Sequence, residues 1–270
     1  MADKIEARLG SVQQTLFIPL AARARETQKK RPLLQDPKAA EIVASVDFDT
    51  VKYGRDWGGI VTVIRTAIFD HWVGAFLAEH PAGTVIEIGT GLNTRFERVD
   101  NGQVHWTDLD LPDTIELRRR FFADSPRRRM LAASVLDEDW LAIVQDSPRP
   151  YFFVADGVLP YLDQAPEVIS RIAGRFPGAL VAFDTYSHKM MERQHKMAAR
   201  KNMDARWAWS CDDPRSLVSL GLEVVETAAI TRPPHALRAR LPRQYRYLLP
   251  LASRIMGDLA TVTLFRSRSR

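Results

Sequence analysis

Short apolar runs alternate with helical patterns along most of this chain, and this alternation limits the possible folds more than any other feature. The runs at 84–89, 151–157 and 179–187 are almost continuously apolar, as expected of strands whose two faces are both covered by helices. We therefore predict an α/β fold with an open, doubly wound, mostly parallel sheet. Seven strands are predicted in all, at 84–89, 103–110, 128–134, 151–157, 179–187, 223–230 and 260–267.

The segments between the predicted strands carry signals for helix ends. Asp137 suits the N-cap of a helix over 137–146, and Pro166 suits the first turn of the next helix. Gly221 is predicted to end a helix that begins near residue 212. A long basic segment joins the last two strands, which we expect to form an antiparallel pair at one edge of the sheet.

The first 80 residues differ in character from the rest of the chain. We predict that 1–80 form an N-terminal helical cap within the same domain and that 81–270 form the α/β core. Apolar residues recur at helical spacing from residue 60 to residue 80, and Pro32 and Pro37 interrupt shorter helices upstream. We expect this cap to pack over the C-terminal edge of the sheet, where open α/β sheets bind ligands.

Composition points to a cytoplasmic protein. With 270 residues, of which 46% are hydrophobic, the chain can bury one large core. Cys211 is its one cysteine, so no internal disulfide can form, which agrees with a reducing compartment. The N-terminal sequence MADKIEARLG is charged and lacks the apolar core of a signal peptide. No uninterrupted apolar stretch reaches about 18 residues, so we expect neither a membrane span nor a membrane partner.

Positive charge is concentrated near the C-terminus. The formal net charge is +5, yet residues 231–270 contain nine arginines and a single acid, Asp258. Such a segment could bind nucleic acid or acidic lipid. We favour a solvated basic face, because no stacking aromatics or RNA-binding motif accompany the arginines. No nucleic-acid partner is therefore expected.

The sequence TVIEIGTGLNTR at 84–95 places an acid and two glycines where the first predicted strand ends. Glycines at this point let a nucleotide approach the backbone. A dinucleotide fingerprint would need a third glycine, but Thr94 stands there. Glu87 would also repel a pyrophosphate, whereas it suits the sulfonium and ammonium of S-adenosylmethionine (SAM). The loop favours SAM over NAD, and a plain tight turn is the structural alternative.

The next two strand ends supply further candidates for a nucleoside site. Asp108 and Asp110 end the second predicted strand, about 20 residues after the glycines, where an acid can accept hydrogen bonds from ribose hydroxyls. Ser134, Val135 and Asp137 stand at the end of the third, where they could meet the adenine edge. Each acid alone could instead be a helix cap or a solvated loop carboxylate. Three strand ends in the required order favour a bound cofactor.

Taken together, these stretches resemble the leucine carboxyl methyltransferase superfamily, in particular its bacterial branch similar to the polyketide O-methyltransferase of tetracenomycin biosynthesis. The matching stretches span most of residues 15–220 and are TLFIPLAARARET, LLQDPKAAEIV, EIGTGLNTRFERVDNG, HWTDLDLPDTIELRR, SVLDEDW, DGVLPYL and CDDPRSL. The resemblance implies a class I, Rossmann-like SAM-dependent methyltransferase.

The resemblance also implies roles for individual residues. Arg65 takes the place of the arginine that holds the SAM carboxylate, a pairing that a guanidinium can make bidentately. Asp156 stands where the family usually has glutamate, so the shorter acid would reach the SAM ammonium through water. Arg23 matches more loosely as a further ligand contact. The remaining implied contacts are Gly89 and Gly91 with the methionine part, Asp110 in preference to Asp108 with the ribose, and Ser134 and Val135 with adenine.

The acceptor is less narrowly defined by the sequence. Methyl transfer from a sulfonium needs no metal, and we expect none because no His/Cys ligand cluster is evident. A carboxylate acceptor needs no base, whereas a phenol would gain from one; His71, His188 and His195 are the candidates. We prefer His188, which follows the fifth strand, with Tyr186 orienting the acceptor.

We predict O-methylation of a small, aromatic or polyketide-like carboxylate or hydroxyl compound. Alternatives are a protein C-terminus as acceptor, or a SAM-binding module that transfers no methyl group. The sequence makes no prediction of the oligomeric state.

Overall fold

A computed structural model of the protein describes residues 16–46, 57–200, 204–256 and 260–268. Seven strands form one sheet in the order β3-β2-β1-β4-β5-β7-β6. The first five pair in parallel, and β7 lies antiparallel to both β5 and β6. The predicted mostly parallel sheet and its antiparallel edge pair are thereby confirmed. The strands are β1 (Thr84–Ile88), β2 (His105–Asp110), β3 (Arg128–Ala132), β4 (Tyr151–Ala155), β5 (Leu180–Tyr186), β6 (Leu222–Ala229) and β7 (Ala260–Ser267).

Ten α-helices accompany the sheet within the described residues. They are α1 (Phe17–Thr27), α2 (Pro37–Ser45), α3 (Trp57–Glu79), α4 (Arg95–Val99), α5 (Pro112–Arg118), α6 (Asp139–Gln145), α7 (Ala165–Arg175), α8 (His188–Arg200), α9 (His235–Arg238) and α10 (Arg243–Met256). Short 3-10 helices cover Leu159–Tyr161 and Pro214–Leu220. The two faces of the sheet carry separate apolar clusters, so the core has two layers.

Most of the predicted helix ends are found where the sequence placed them. Pro166 lies in the first turn of α7, and Gly221 ends the 3-10 helix Pro214–Leu220 in the left-handed conformation. The prediction for Asp137 was wrong, because α6 begins at Asp139 with Glu138 at its N-cap. The Asp137 carboxylate instead accepts a hydrogen bond from the Ser134 amide at 3.2 Å.

The N-terminal helices lie beside the ligand edge of the sheet. Pro37 starts α2, and Asp36 caps that helix by accepting a hydrogen bond from the Ala39 amide at 2.9 Å. Helix α3 contributes a row of buried side chains to the core on one sheet face. By length and composition alone its stretch Gly59–Glu79 could cross a membrane, but most of that stretch is buried within the protein, as in a core helix. The division into a cap at 1–80 and a core at 81–270 stays a prediction.

Candidate active site

A cavity of about 520 Å³ opens at the C-terminal edge of the parallel strands. Its walls come from the ends of β1 to β5 and the loops that follow them, and from the N-terminal helices. These helices contribute Ile18, Pro19 and Arg23 of α1 and Thr62 and Arg65 of α3. Because the strand order is 3-2-1-4-5, the loops after β3 and β5 lie at opposite ends of this edge. Four strand spacings separate them, roughly 19 Å. The cavity is thus elongated across the sheet.

The loop after β1 forms the floor of the cavity. Gly89 and Gly91 have φ angles of 61° and 48°, a left-handed conformation that other residues adopt only at a cost. A Cβ atom at Gly89 would lie 2.4 Å from Cγ2 of Val158. Both the backbone conformation and the space therefore require glycine at position 89, which brings the backbone itself to the cavity surface.

Asp110 stands at the end of β2 and faces the cavity. Its Oδ2 accepts a hydrogen bond from the Gly91 amide and its Oδ1 from the Leu111 amide, both at 2.7 Å. Burial raises the pKa of Asp110, although these two amide donors oppose the shift. The amides fix the orientation of the carboxylate, and each oxygen keeps acceptor capacity for a further donor.

Two predicted cofactor contacts lie below the cavity wall rather than on it. The Glu87 carboxylate accepts hydrogen bonds from Arg95 and from the Asn93 amide group, and burial raises its pKa although Arg95 opposes the shift. Asp108 pairs with Arg118 and Arg128. Neither acid lines the cavity. The structure thus places both carboxylates beneath the glycine loop, paired with arginines, rather than on the cavity surface where the direct cofactor contacts were predicted.

Asp108 shows how this support is built. Its Oδ1 accepts a hydrogen bond from the Thr90 hydroxyl at 2.8 Å, and Arg118 donates to the carbonyl oxygens of Gly91 and Asn93 at 2.8 Å each. Burial alone would raise the pKa of Asp108, but Arg118 and Arg128 outweigh it and hold that pKa below its usual value. Asp108 therefore stays ionised and anchors the arginine that holds the loop.

Arg65 reaches the cavity from α3 and lies among acidic side chains. Its Nε is 2.6 Å from Oδ1 of Asp156, and its Nη1 is 3.1 Å from Oδ2 of Asp184. Nη1 also donates a hydrogen bond to the Tyr186 hydroxyl at 2.9 Å. Although burial acts in the opposite direction, Arg65 and Arg95 hold the pKa of Asp156 below its usual value. Arg65, Asp156, Asp184 and Tyr186 all line the cavity.

These contacts belong to a longer chain of ion pairs, which we call the buried ion-pair network. It runs from α1 to β5 and contains one more carboxylate than guanidinium groups. Its arginines are Arg23, Arg65, Arg95 and Arg98, and its acids are Asp36, Asp70, Glu87, Asp156 and Asp184. Burial raises the pKa of two of these acids, Glu87 and Asp184, and Asp184 and Asp156 are the two that also line the cavity.

Arg95 is a residue that the sequence analysis missed. It is fully buried as the first residue of α4 and pairs with Asp70 at 2.8 Å, Asp156 at 2.9 Å and Glu87. A signal was present, because Arg95 ends the same glycine stretch that contains Glu87. Arg23 was predicted as a ligand contact; it lines the cavity, and its Nε and Nη2 donate to Asp36 at 2.8 Å and to the Leu92 carbonyl at 3.0 Å.

The β5 end of the cavity has an aromatic wall. The rings of Tyr186 and Trp207 lie 4.1 Å apart between centroids at an interplanar angle of 32°, and both line the cavity with Tyr161. Burial and the neighbouring Asp184 raise the pKa of the Tyr186 phenol well above its usual range. Tyr186 therefore stays protonated at neutral pH and can act as a fixed dipole rather than as a base.

None of the three candidate histidines lines this cavity. The predicted position of His188 near the reacting face is corrected: it begins α8, is 62% exposed, and its Nε2 lies 3.8 Å from Glu192. The His195 ring is hydrogen-bonded to the Trp207 carbonyl at 2.7 Å and holds the aromatic wall in place. His71 lines a second, separate cavity.

The two residues predicted to contact adenine lie at the β3 end of the cavity, opposite the aromatic wall. Ser134 and Val135 follow β3 and line the cavity. The structure therefore brings together Arg23, Arg65, Gly89, Gly91, Asp110, Ser134, Val135, Asp156 and Tyr186, but not Glu87, Asp108 or His188. Within the described residues, no group of three or more His, Cys, Asp or Glu side chains could hold a metal ion.

The geometry accommodates SAM across the edge of the sheet. Along the sheet edge from β3 to β4, the cofactor contacts would follow the strand order. Ser134 and Val135 would meet the adenine, and Asp110 would meet the ribose. The loop at Gly89 and Gly91 would meet the methionine part. The carboxyl groups of Asp156 and Asp184 line the cavity beside that loop, where the ammonium group of the ligand would lie. The β5 end, with Tyr186 and Trp207, lies beyond this span.

Comparisons with known proteins agree with this geometry. The family model for leucine carboxyl methyltransferase matches residues 17–173. The chain is 36% identical over 217 residues to the tetracenomycin polyketide synthesis O-methyltransferase TcmP of Streptomyces glaucescens, covering 78% of this chain and 80% of that protein. It is 27% identical over 241 residues to the S-adenosyl-L-methionine-dependent methyltransferase dpfgK of Gibberella zeae, covering 80% of each.

Solved structures share the fold. A putative methyltransferase from Thermobifida fusca superposes with a TM-score of 0.55 at 19% identity, covering 92% of this chain and 94% of that one. A DUF574 family protein from Streptomyces avermitilis superposes with a TM-score of 0.54 at 18% identity, covering 92% and 97%. At these identities the likeness shows the arrangement of the elements alone.

Proposed function

The chain belongs to the leucine carboxyl methyltransferase family and is a SAM-dependent methyltransferase, and on that premise we propose that it methylates an oxygen of a small aromatic or polyketide-like acceptor. We further propose that this oxygen belongs to a carboxylate. One observation carries the proposal: the cavity continues past the cofactor span to an aromatic wall at the end of β5.

The aromatic wall supports a flat acceptor. The Trp207 ring is backed by the Tyr186 ring, and its segment is tied to α8, because Gln194 bonds to the Ala205 carbonyl at 2.8 Å and His195 to that of Trp207. A rigid aromatic surface binds an aromatic ring through offset stacking. A planar acid resting there would present its carboxylate toward the middle of the cavity.

The side chains at the wall favour an acceptor that is already ionised. SAM supplies a methyl group on a positively charged sulfur, which an oxygen nucleophile attacks in line. A carboxylate has a pKa near 4 and needs no deprotonation at neutral pH, whereas a phenol, with a pKa near 10, would need a base. Asp156 and Asp184 are both paired with Arg65, and the Tyr186 phenol keeps its proton. The contribution of the protein is then to position the acceptor and exclude water.

The decisive experiment is a screen of aromatic acids and matched phenols with methyl-labelled SAM, followed by base treatment of the product. We expect products that release labelled methanol, because methyl esters hydrolyse and methyl ethers do not. A base-stable product would overturn the carboxylate assignment. A peptide ending in a free carboxylate is included, and its methylation in preference to the small acids would overturn the small-molecule assignment.

Two tryptophan variants test the wall itself. Trp207→Leu should raise KM for the aromatic acid about tenfold without changing SAM affinity, because a lost stacking partner and its buried area are worth about 1.4 kcal/mol. Trp209→Leu is the matched control, since Trp209 packs on Phe183 in the core and does not line the cavity. An equal rise in KM for both variants would contradict stacking on Trp207.

A further inference from the structure

Helix α10 presents an exposed face that is both apolar and basic. Tyr247, Leu248 and Leu251 are 79%, 47% and 54% exposed. They fall at positions i, i+1 and i+4, so they share one side of the helix. Pro250 between them is exposed as well. Three large apolar side chains grouped on one surface mark an interaction site more often than single exposed residues do.

The opposite side of the same segment is anchored in the protein. Leu237, Leu241 and Leu249 are buried in the apolar cluster that α3 also joins. The exposed apolar side chains therefore belong to a helix that is already packed on its other face. Their exposure is a property of the folded protein and does not come from an undocked segment.

The formally charged residues of α9, α10 and their connection are all basic. Residues 235–256 contain five arginines and no acid, and Arg238, Arg240, Arg246 and Arg254 are exposed. Arg254 follows Tyr247 by seven residues, so it borders the apolar side chains on the helix surface. A second copy of the chain docked symmetrically on this face would set arginines against arginines, which is unfavourable. The occupant must therefore be anionic.

We propose that α10, with the exposed residues of α9, docks on a bilayer surface that contains anionic lipids. A helix with apolar side chains on one sector and arginines beside it lies in the interfacial plane, with the apolar groups among the acyl chains and the guanidinium groups at the headgroups. Nucleic acid would engage the arginines but leave Leu248 and Leu251 in water. The sequence predicted a solvated basic face here and no membrane partner; the exposed apolar side chains of α10 favour a different interpretation.

Vesicle sedimentation tests the proposal with the full-length protein. At an ionic strength of about 0.1 M we expect at least about tenfold more binding to phosphatidylcholine vesicles containing phosphatidylglycerol than to pure phosphatidylcholine vesicles, with weaker binding at higher salt. Equal binding to both vesicles, or none, would overturn the proposal.

Paired variants separate insertion from simple charge attraction. Leu248→Gln with Leu251→Gln should lower binding to the anionic vesicles about tenfold, since each buried methylene contributes to interfacial affinity. The control pair is Val218→Gln with Val225→Gln, which removes similarly exposed apolar side chains elsewhere and should bind like the wild type. Unchanged SAM affinity in all variants confirms folding. Full binding by the α10 pair would overturn the proposal.

A fluorescence measurement separates insertion into a bilayer from attraction to a soluble polyanion. A Tyr247→Trp variant should show a blue-shifted emission with anionic vesicles, because the ring enters an apolar medium. Heparin, a soluble polyanion without an apolar phase, should cause no such shift. A shift of equal size with heparin, or none with vesicles, would contradict insertion into a bilayer.

Discussion

At the scale of single residues, Asp110 carries the most specific prediction about the cofactor. Two backbone amides occupy one acceptor position on each of its oxygens. An ionised carboxylate has about four such positions, so two remain for donors in the cavity. A ribose has two adjacent hydroxyl groups that can supply those donors. The carboxylate is therefore oriented for its ligand before the ligand arrives.

Replacing Asp110 by alanine should lower SAM affinity tenfold or more, a loss of about 1.4 kcal/mol, measured by titration calorimetry. Asp110→Asn keeps one acceptor oxygen and should fall between alanine and wild type. Asp113→Ala is the control, because it removes an exposed carboxylate three residues further along. Unchanged affinity in a folded Asp110→Ala protein would show that the ribose is bound elsewhere.

At the scale of elements, the loop between β1 and α4 can be compared with the turn before β2, because each contains a glycine with a positive φ angle. Gly89 has a positive φ angle and lies against Val158. Gly102, before β2, has a φ angle of 80°, but a Cβ atom added there would have no neighbouring atom within 4 Å. Gly89 and Gly102 both have positive φ angles and differ in their surroundings. Alanine variants at the two positions therefore separate backbone strain from close packing.

Gly102→Ala should destabilise the protein by about 1 kcal/mol, the cost of a left-handed conformation, and leave SAM affinity unchanged. Gly89→Ala should be more destabilising and should also weaken SAM binding at least tenfold, because its new methyl group displaces Val158 and the loop. Chemical denaturation and calorimetry measure the two effects. If the two variants bound SAM equally well, packing at Gly89 would not shape the site.

At the scale of the whole molecule, the buried ion-pair network links the N-terminal helices to the sheet. Asp36 caps α2 and pairs with Arg23 and Arg98. Burial alone would raise the pKa of Asp36, but these arginines outweigh it and hold that pKa below its usual value. A carboxyl group whose pKa is lower in the folded state stabilises the fold above its unfolded pKa, about 3.9. That stabilisation is lost as the pH falls through the lower folded-state value.

We therefore expect the free energy of unfolding to fall as the pH drops below about 4, measured by denaturant titration. Asp36→Asn keeps a capping oxygen but leaves two arginines with less compensation, so it should lose about 3 kcal/mol at pH 7 and show a smaller acid-dependent fall. Asp100→Asn is the control, since Asp100 pairs with Arg127 near the surface and should cost far less. Equal losses in both variants would argue against a stabilising role for the network.

Much of the fold was predictable because β1, β4 and β5 are local apolar runs and helical patterns alternate with the strands. All seven strands lie within two residues of their predicted bounds. The cavity residues at the ends of β1, β2 and β3 followed from strand order. The pairing of buried charges did not: Glu87 and Asp156 are both acids at strand ends, yet Asp156 lines the cavity and Glu87 is held beneath it by Arg95.

His188 shows why proximity in sequence misleads at the β5 end. His188 follows β5 by two residues, but α8 begins there and directs the side chain to solvent. Trp207 lies about 20 residues later and returns to the cavity because its segment bonds back to α8 and to the Pro160 carbonyl. Those contacts depend on the three-dimensional path of the chain, which no local pattern encodes.

The position of β7 between β5 and β6 limits the order in which strands can join the sheet during synthesis. Synthesis delivers β6 first, yet β6 pairs with neither β5 nor any earlier strand of the sheet. Its hydrogen-bonding partner is translated about 30 residues later. On the ribosome, β1 to β5 can assemble while β6 waits unpaired, so a nascent chain should gain its last two strands together, in one late step.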